Sequence, residues 1–339
     1  MPARSMLVLS AAFATLACSQ AASAQEGPDY AREAEALAEL AETEAARAWL
    51  GEAAHLPEVP QRTVHISFRP KRAYTAAQYE ALPESEREGL REKVCNAESG
   101  YYDTFYGTPL AYLRALDLAA AHMGGDEPFE WEGVRILDFG YGQMGQLRML
   151  AQRGAHAVGV DIDPILAAIY SEPGDTGPVE RDGGKDGSVT LHHGAWPNEP
   201  EMVEAVEEAG GDGYDLIVSR NLLKRGYVAP IDGSDAMVDL GGTASETLAR
   251  FHDTLAPGGV FVIYNIGGEP DPSRPWTDIA CPWPAELLKD AGFEVLAYDV
   301  NEDAPARAVG RALGWDLGER PMDLTQLFGT YTILRRPAD

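Results

Sequence analysis

Residues 136–145 read Ile136-Leu137-Asp138-Phe139-Gly140-Tyr141-Gly142-Gln143-Met144-Gly145. The apolar run 134–139 predicts a β-strand, and the period of residues 146–153 predicts a helix, so Gly140, Gly142 and Gly145 fall in the turn between them. Glycine allows a tight left-handed turn and a close backbone approach to a ligand, and a following helix offers free N–H groups. The next strand, 157–160, ends at Asp161, about 20 residues beyond the first glycine, where a carboxylate can accept hydrogen bonds from both hydroxyls of a ribose. A nucleoside is the expected ligand.

Working outward, short apolar runs alternate with helical stretches, the pattern of a mostly parallel sheet with helices on both faces. Further strands are predicted at 188–192, 214–219, 259–264, 293–298 and 330–334, making seven with the two above. The last two leave no room for a long crossover and are expected as an antiparallel edge pair. Residues 174–187, rich in glycine and acids, read as a loop. Upstream, 30–56 repeat apolar residues at helical spacing, 64–68 read as a short strand or extended linker, and 69–72 as a loop. Residues 75–94 read as a helical region interrupted near Pro83. Thr108-Pro109 reads as a helix start, with a hydroxyl cap and proline in the first turn. The expected organisation is a leader at 1–24, a helical N-terminal extension at 25–100 and a Rossmann-like α/β domain at 101–339.

Which nucleoside is decided by charge. Asp138 stands two residues before Gly140, where it would repel a dinucleotide pyrophosphate but would suit a cation such as the ammonium of S-adenosylmethionine. With Asp138-x-Gly140-x-Gly142, Gly159-Val160-Asp161-Ile162-Asp163, Tyr214-Asp215-Leu216-Ile217-Val218-Ser219, Leu255-Ala256-Pro257-Gly258-Gly259 and Ala291-Gly292-Phe293-Glu294-Val295, residues 102–336 resemble the class I S-adenosylmethionine-dependent methyltransferases. The resemblance implies that Asp138, Gly140 and Gly142 line the methionine end of S-adenosylmethionine, that Asp161 holds the ribose, that Ile162 packs on the adenine, and that residues 96–106 cover the cofactor; Tyr141 and Gly145 of the same turn are counted among the cofactor-binding residues. It is incomplete in two places. Met144 stands where the family's third glycine falls, and His192-His193-Gly194-Ala195-Trp196 replaces the usual acid, leaving Trp196 as the side chain to stack on the adenine. The family's Asn/Asp-Pro-Pro-aromatic signature for amines on nucleobases is absent.

Methyl transfer from a sulfonium is an in-line displacement that alignment and desolvation can drive without a base, so the lack of an obvious catalytic side chain fits the reading. After the fourth strand, Arg220, Asn221, Lys224 and Arg225 form a basic cluster suited to a substrate carboxylate or phosphate; the plainer reading is a set of surface ion pairs. His192-His193 lacks a third ligand at a telling spacing, so no metal is expected. Tyr101, Tyr102, Phe105 and Tyr106 read equally as a roof over the site or as core. Asp163-Pro164 reads as a helix start. The expectation is an S-adenosylmethionine-dependent methyltransferase acting on a small molecule or protein. An NAD-dependent dehydrogenase is disfavoured by Asp138, and a non-catalytic exported binding module that keeps the fold is the remaining alternative.

With 54 acidic against 27 basic residues, the net charge of −27 repels phosphate and argues against a nucleic-acid partner. Arg4, the apolar run 6–17 and Ala22-Ser23-Ala24 form the three parts of a secretory signal cleaved after Ala24, and the run is too short for a stable membrane span. The protein is therefore expected to be exported, periplasmic or secreted; Thr15-Leu16-Ala17-Cys18 offers a lipoprotein alternative. Cys95 and Cys281 are the other cysteines, and their pairing stays open. Fused to a reporter active only after export, residues 1–30 should yield signal; a silent reporter refutes the leader.

Overall fold

The computed structural model describes residues 29–125, 128–180 and 186–338. The leader predicted at 1–24 and Cys18 lie outside the described residues. In chain order the strands are β1 (Arg62–Phe68), β2 (Lys71–Thr75), β3 (Arg91–Cys95), β4 (Arg135–Phe139), β5 (His156–Asp161), β6 (Gly177–Val179), β7 (Gly187–His193), β8 (Tyr214–Arg220), β9 (Leu255–Gly267), β10 (Glu294–Asn301) and β11 (Phe328–Arg335).

Apolar residues run without a polar break through Leu216-Ile217-Val218 and Val260-Phe261-Val262-Ile263, as strands covered on both faces require. They lie in an eight-stranded sheet of order β10-β11-β9-β8-β4-β5-β7-β6. Strands β9, β8, β4, β5 and β7 are mutually parallel. The predicted antiparallel pair at the end of the chain is present, with β11 inserted between β9 and β10, so that β10 is the edge. The eighth strand is β6, which falls within residues 174–187 and corrects their reading as a loop. Three residues including Gly177 and Pro178 carry no strand pattern, and Pro178 is tolerated because β6 has a neighbour on one side alone.

Strand alternation sorts the core into two clusters. On one face Ile136, Leu216, Val218, Val260 and Val262 pack with the helix Leu113–Met123; on the other, Leu137, Phe139, Ile217, Phe261 and Ile263 pack with Trp196, Phe251 and Trp283. Cys95 belongs to the first cluster and Cys281 to the second, and both thiols are free. Among the described residues no helix is long and apolar enough to cross a membrane.

Leu37, Trp49, Val64 and Ile66 of the N-terminal extension join the first cluster. The helix predicted over 30–56 is broken into Tyr30–Ala38 and Glu44–Gly51, followed by one 3-10 turn. A tertiary contact explains the break: the Asp117 carboxylate accepts from the backbone N–H groups of Glu42 and Thr43 and from the Thr43 hydroxyl, at 2.8, 2.8 and 2.7 Å. Thr43 is thereby fixed as the cap of the second helix, where its hydroxyl oxygen accepts from Ala46 N–H.

The extension also holds a three-stranded antiparallel sheet, β2-β1-β3, which corrects the helical reading of 75–94 and the loop reading of 69–72. Helical residues in that region are confined to Ala76–Ala81 and Glu84–Arg87. Strand β3 escapes sequence reading because Arg91-Glu92-Lys93-Val94 is largely exposed and lacks an apolar face. Asp117 also receives Arg114 at 2.9 Å, and Arg114 reaches Glu302 at 2.9 Å, so one buried network ties the extension to the sheet. Replacing Asp117 by Ala leaves three donors of the 42–43 segment without their acceptor and removes one of the acids that hold Arg114, and should lower the unfolding free energy by roughly 3 kcal/mol in urea denaturation. A loss below about 1 kcal/mol would show that local sequence, not Asp117, breaks the helix.

Candidate cofactor site

The site forms where β4 and β5 end side by side. Asp138 is in register with Gly159 and Phe139 with Val160, and Gly140 N–H donates to the Val160 carbonyl at 2.9 Å. The chain then turns through Gly140 (φ +78°) and Gly142 (φ +62°), both left-handed. Leu222, from the segment after β8, closes on Gly140: a Cβ there would fall 2.5 Å from Leu222 Cδ2. Tyr106 closes on Gly142 in the same way, at 3.1 Å, and the Thr104 hydroxyl donates to the Gly142 carbonyl at 2.8 Å. The segment predicted as cover thus does lie on the glycine turn. Tyr101, Tyr102 and Phe105 are buried, so this aromatic group is core and cover at once.

Gly145 is placed differently. It opens the helix Gly145–Gln152, and a Cβ there would fall 2.6 Å from Pro109 and 2.9 Å from the Tyr102 carbonyl oxygen. Its lack of a side chain serves packing. Met144 can occupy the family's glycine position because its backbone there is right-handed, φ −83° and ψ −28°, and its N–H donates to the Tyr170 hydroxyl at 3.1 Å. Tyr141 is fully buried, its carbonyl accepting from Tyr112 and Gln146 and its ring tilted on Tyr170. Neither Gly145 nor Tyr141 borders the cavity described next.

That cavity, about 70 Å³, is lined by Gly140, Asp161, Ile162, Trp196, Leu222 and Leu240 among others. Ile162 is 45% exposed at its wall. Trp196 borders the cavity but sits mostly in the core, edge-on to Phe139 and Phe251 at 5.3 and 5.0 Å. The Asp161 carboxylate accepts from Asp163 N–H at 2.9 Å and Gly142 N–H at 3.4 Å. Burial, then the neighbouring charge of Asp163, pushes its carboxyl up to about 6. Asp163 caps the helix Pro164–Ile169, as its sequence position suggested, and it accepts from the Tyr106 hydroxyl at 2.6 Å and pairs with Lys71 at 2.8 Å.

Asp138 lies beneath the turn rather than on the cavity wall. It is 1% exposed and accepts from Gln146 Nε2 at 2.9 Å and the Tyr112 hydroxyl at 3.2 Å. Burial pushes its carboxyl up to about 7 against those two hydrogen bonds. Asp161 is near enough to add repulsion.

The basic cluster separates. Arg225 makes a two-pronged surface pair with Asp278 at 2.7 and 3.2 Å, which is the plainer reading. Asn221, at φ +65°, accepts through Oδ1 from Ile266 N–H at 2.8 Å, and Lys224 donates to the Ile266 carbonyl at 2.7 Å, so both clamp the loop to β9. Burial pushes the Lys224 amine down to about 7, helped by Arg220. Arg220 alone turns toward the Asp138 side, its guanidinium 5.5 Å from the Tyr112 ring centroid.

Sequence reading did not select Lys71, Thr104, Tyr112, Gln146 or Leu222, which enclose the turn. Lys71 sits in a segment read as loop. Gln146 offered one usable signal, a polar side chain on the first turn of a helix that packs inward.

The chain belongs to the methyltransferase-domain family, whose model matches residues 110–287. No curated protein matches it. Solved structures similar to it include the [4+2]-cyclase SpnF, at 17% identity over 67% of this chain and 81% of that one, TM-score 0.39. An S-adenosylmethionine-dependent methyltransferase from Mesorhizobium loti is similar at 19% identity over 66% and 98%, TM-score 0.36. Geranyl diphosphate methyltransferase in complex with S-adenosylmethionine is similar at 14% over 67% and 87%, TM-score 0.38.

The raised carboxyl of Asp138 makes the stability of the fold depend on pH. Between about pH 4 and 7 the folded chain keeps a proton that the unfolded chain has released, so this group's stabilising contribution is lost as pH rises through that window. Asp138→Asn imitates the protonated form. Its melting temperature should exceed that of the parent by a few degrees at pH 8 and match it near pH 4; an equal difference at both pH values would remove the assignment.

Proposed function

We propose that the protein transfers the methyl group of S-adenosylmethionine to a small-molecule or protein acceptor. One observation carries this reading: two carboxylates with raised affinity for protons, the buried Asp138 and the half-buried Asp161, lie at the ends of adjacent parallel strands on either side of a left-handed glycine turn. A cationic ligand tail would relieve the first, and ribose hydroxyls would donate to the second.

The donor set fits the cofactor. Besides the two acids, Gln146 Oε1 is buried beside Asp138 without a hydrogen-bond partner, an acceptor ready for an ammonium donor. Ile162 offers an apolar surface for the adenine, and Trp196 contributes one edge of its ring to the same cavity. Bound S-adenosylmethionine supplies an electrophilic methyl on a positively charged sulfur. The chain's part is to orient and to exclude water. Asp138 would anchor the charged end, Asp161 would fix the sugar, and Leu222 and Leu240 would keep water from the apolar part of the cavity.

Calorimetry of the full chain with S-adenosylmethionine, its demethylated product and NAD tests the proposal. Binding of the first two without NAD supports it, NAD binding alone supports a dehydrogenase, and no binding leaves an exported module that retains the fold. Asp161→Ala should weaken binding of the product by about 1–3 kcal/mol through loss of charge-assisted hydrogen bonds. Unchanged affinity would remove Asp161 from the ribose.

A further inference from the structure

We propose that Lys71 is a positioning residue of the cofactor site, holding Asp163 and, through it, the Asp161 carboxylate that would take the ribose, an inference that rests on the methyltransferase reading above. Lys71 opens β2, where the first hairpin of the N-terminal extension turns back in register with Phe68. It lies outside residues 110–287, which the family model matches, so its part in the site belongs to the extension. Its ammonium is 2.8 Å from Asp163 Oδ2 and donates to the Tyr106 hydroxyl oxygen at 3.1 Å, while the Tyr106 hydroxyl donates to the same Oδ2 at 2.6 Å. The other oxygen of Asp163 accepts from Ile165 N–H at 2.9 Å. The contacts continue inward: Asp163 N–H donates to Asp161 Oδ1 at 2.9 Å, and Gly142 N–H donates to Asp161 Oδ2 at 3.4 Å. One ammonium therefore touches both the aromatic cover, which closes on Gly142 through Tyr106, and the acids at the end of β5.

Any hydrogen-bond donor of the right length could fill this place; the charge is what singles out lysine. Asp161 and Asp163 are two residues apart, and the Asp163 charge opposes ionisation of Asp161 while Lys71 favours it. The Lys71 side chain is 17% exposed and that of Asp163 2%, so water and salt screen the pair poorly. The other titratable groups that face the two acids are Asp138, Tyr112 and Tyr141 around Asp161, and Tyr106 and His193 around Asp163. Burial holds His193 below its ordinary range, so near neutral pH Lys71 is the cation of this group. An ionised carboxylate can accept from both hydroxyls of a ribose and loses part of that capacity on taking a proton. Without the Lys71 charge, Asp161 should take its proton at higher pH, and ligand binding should fail at that higher pH too.

The full chain is compared with Lys71→Gln, Lys71→Arg and the double variant Lys71→Gln with Asp163→Asn between about pH 5 and 8.5. Two readouts are taken: calorimetry with S-adenosylhomocysteine, and a carbon NMR titration of the Asp161 carboxyl in the unliganded chain, assigned by its loss in Asp161→Asn. Glutamine keeps a donor to Asp163 without the charge, and asparagine at 163 still caps its helix. In the parent, both readouts should turn over near pH 6, with affinity falling as the pH drops. The proposal expects both midpoints to rise by about half a pH unit or more in Lys71→Gln, weakening binding about twofold or more at pH 6 and leaving it within about twofold of the parent at pH 8.5. Lys71→Arg should keep the parent's midpoints, and the double variant should return them to the parent's or below. Unmoved midpoints in Lys71→Gln overturn the proposal, as does an equal loss of affinity at every pH, which would make Lys71 a structural tether alone. If Lys71→Gln does not fold, Asp163→Asn by itself decides: the Asp161 midpoint should fall below the parent's, and an unchanged one overturns the proposal. If S-adenosylhomocysteine does not bind the parent at any pH, the methyltransferase reading fails, while the carboxyl titration still tests the hold of Lys71 on Asp161.

Discussion

A carboxylate that the fold encloses without neutralising is the constraint around which the domain is arranged. Asp138 ends β4 beneath the glycine turn, shut in by Tyr112 and Gln146, and its burial costs the apo chain stability near neutral pH. A carboxyl in that position persists only where the surrounding packing over-determines it, and here it does: Leu222 and Tyr106 close on the two left-handed glycines, while Pro109 closes on the third. The same packing leaves a strip across the ends of β5, β4 and β8 that carries acid, acid and base in turn, at Asp161, Asp138 and Arg220.

The extension belongs to this arrangement as much as the sheet does. Lys71 of β2 pairs with Asp163, and Asp163 in turn gives its N–H to Asp161. Thr104 and Tyr106 grip the turn from above. Residues before the α/β domain therefore help set the electrostatics around Asp161, and Lys71 restrains the upward shift of its carboxyl.

Most of the large sheet was legible because its strands carry continuous apolar runs and its glycines fall at fixed spacing from two acids. The placing of Asp138 and Asp161 at the ends of neighbouring strands was legible on the same grounds. What escaped was either too short, as with the three residues of β6, or too charged, as with β3, to show a period. The break at residues 39–43 is imposed by Asp117 from far along the chain, which no local pattern announces. Within the basic cluster, charge alone could not separate Arg225, which opens the short helix Arg225–Val228 and meets Asp278 at the surface, from Arg220, which ends β8 and is turned inward.

Cys95 and Cys281 lie on opposite faces of the sheet, and burial holds the first thiol above its ordinary range and the second at about 12. A thiol that stays protonated is a poor nucleophile toward disulfides and peroxides. Cys95 and Cys281 should consequently react slowly with oxidised glutathione while the domain is folded, and among the described residues cohesion comes from apolar contact, hydrogen bonds and ion pairs, with no disulfide.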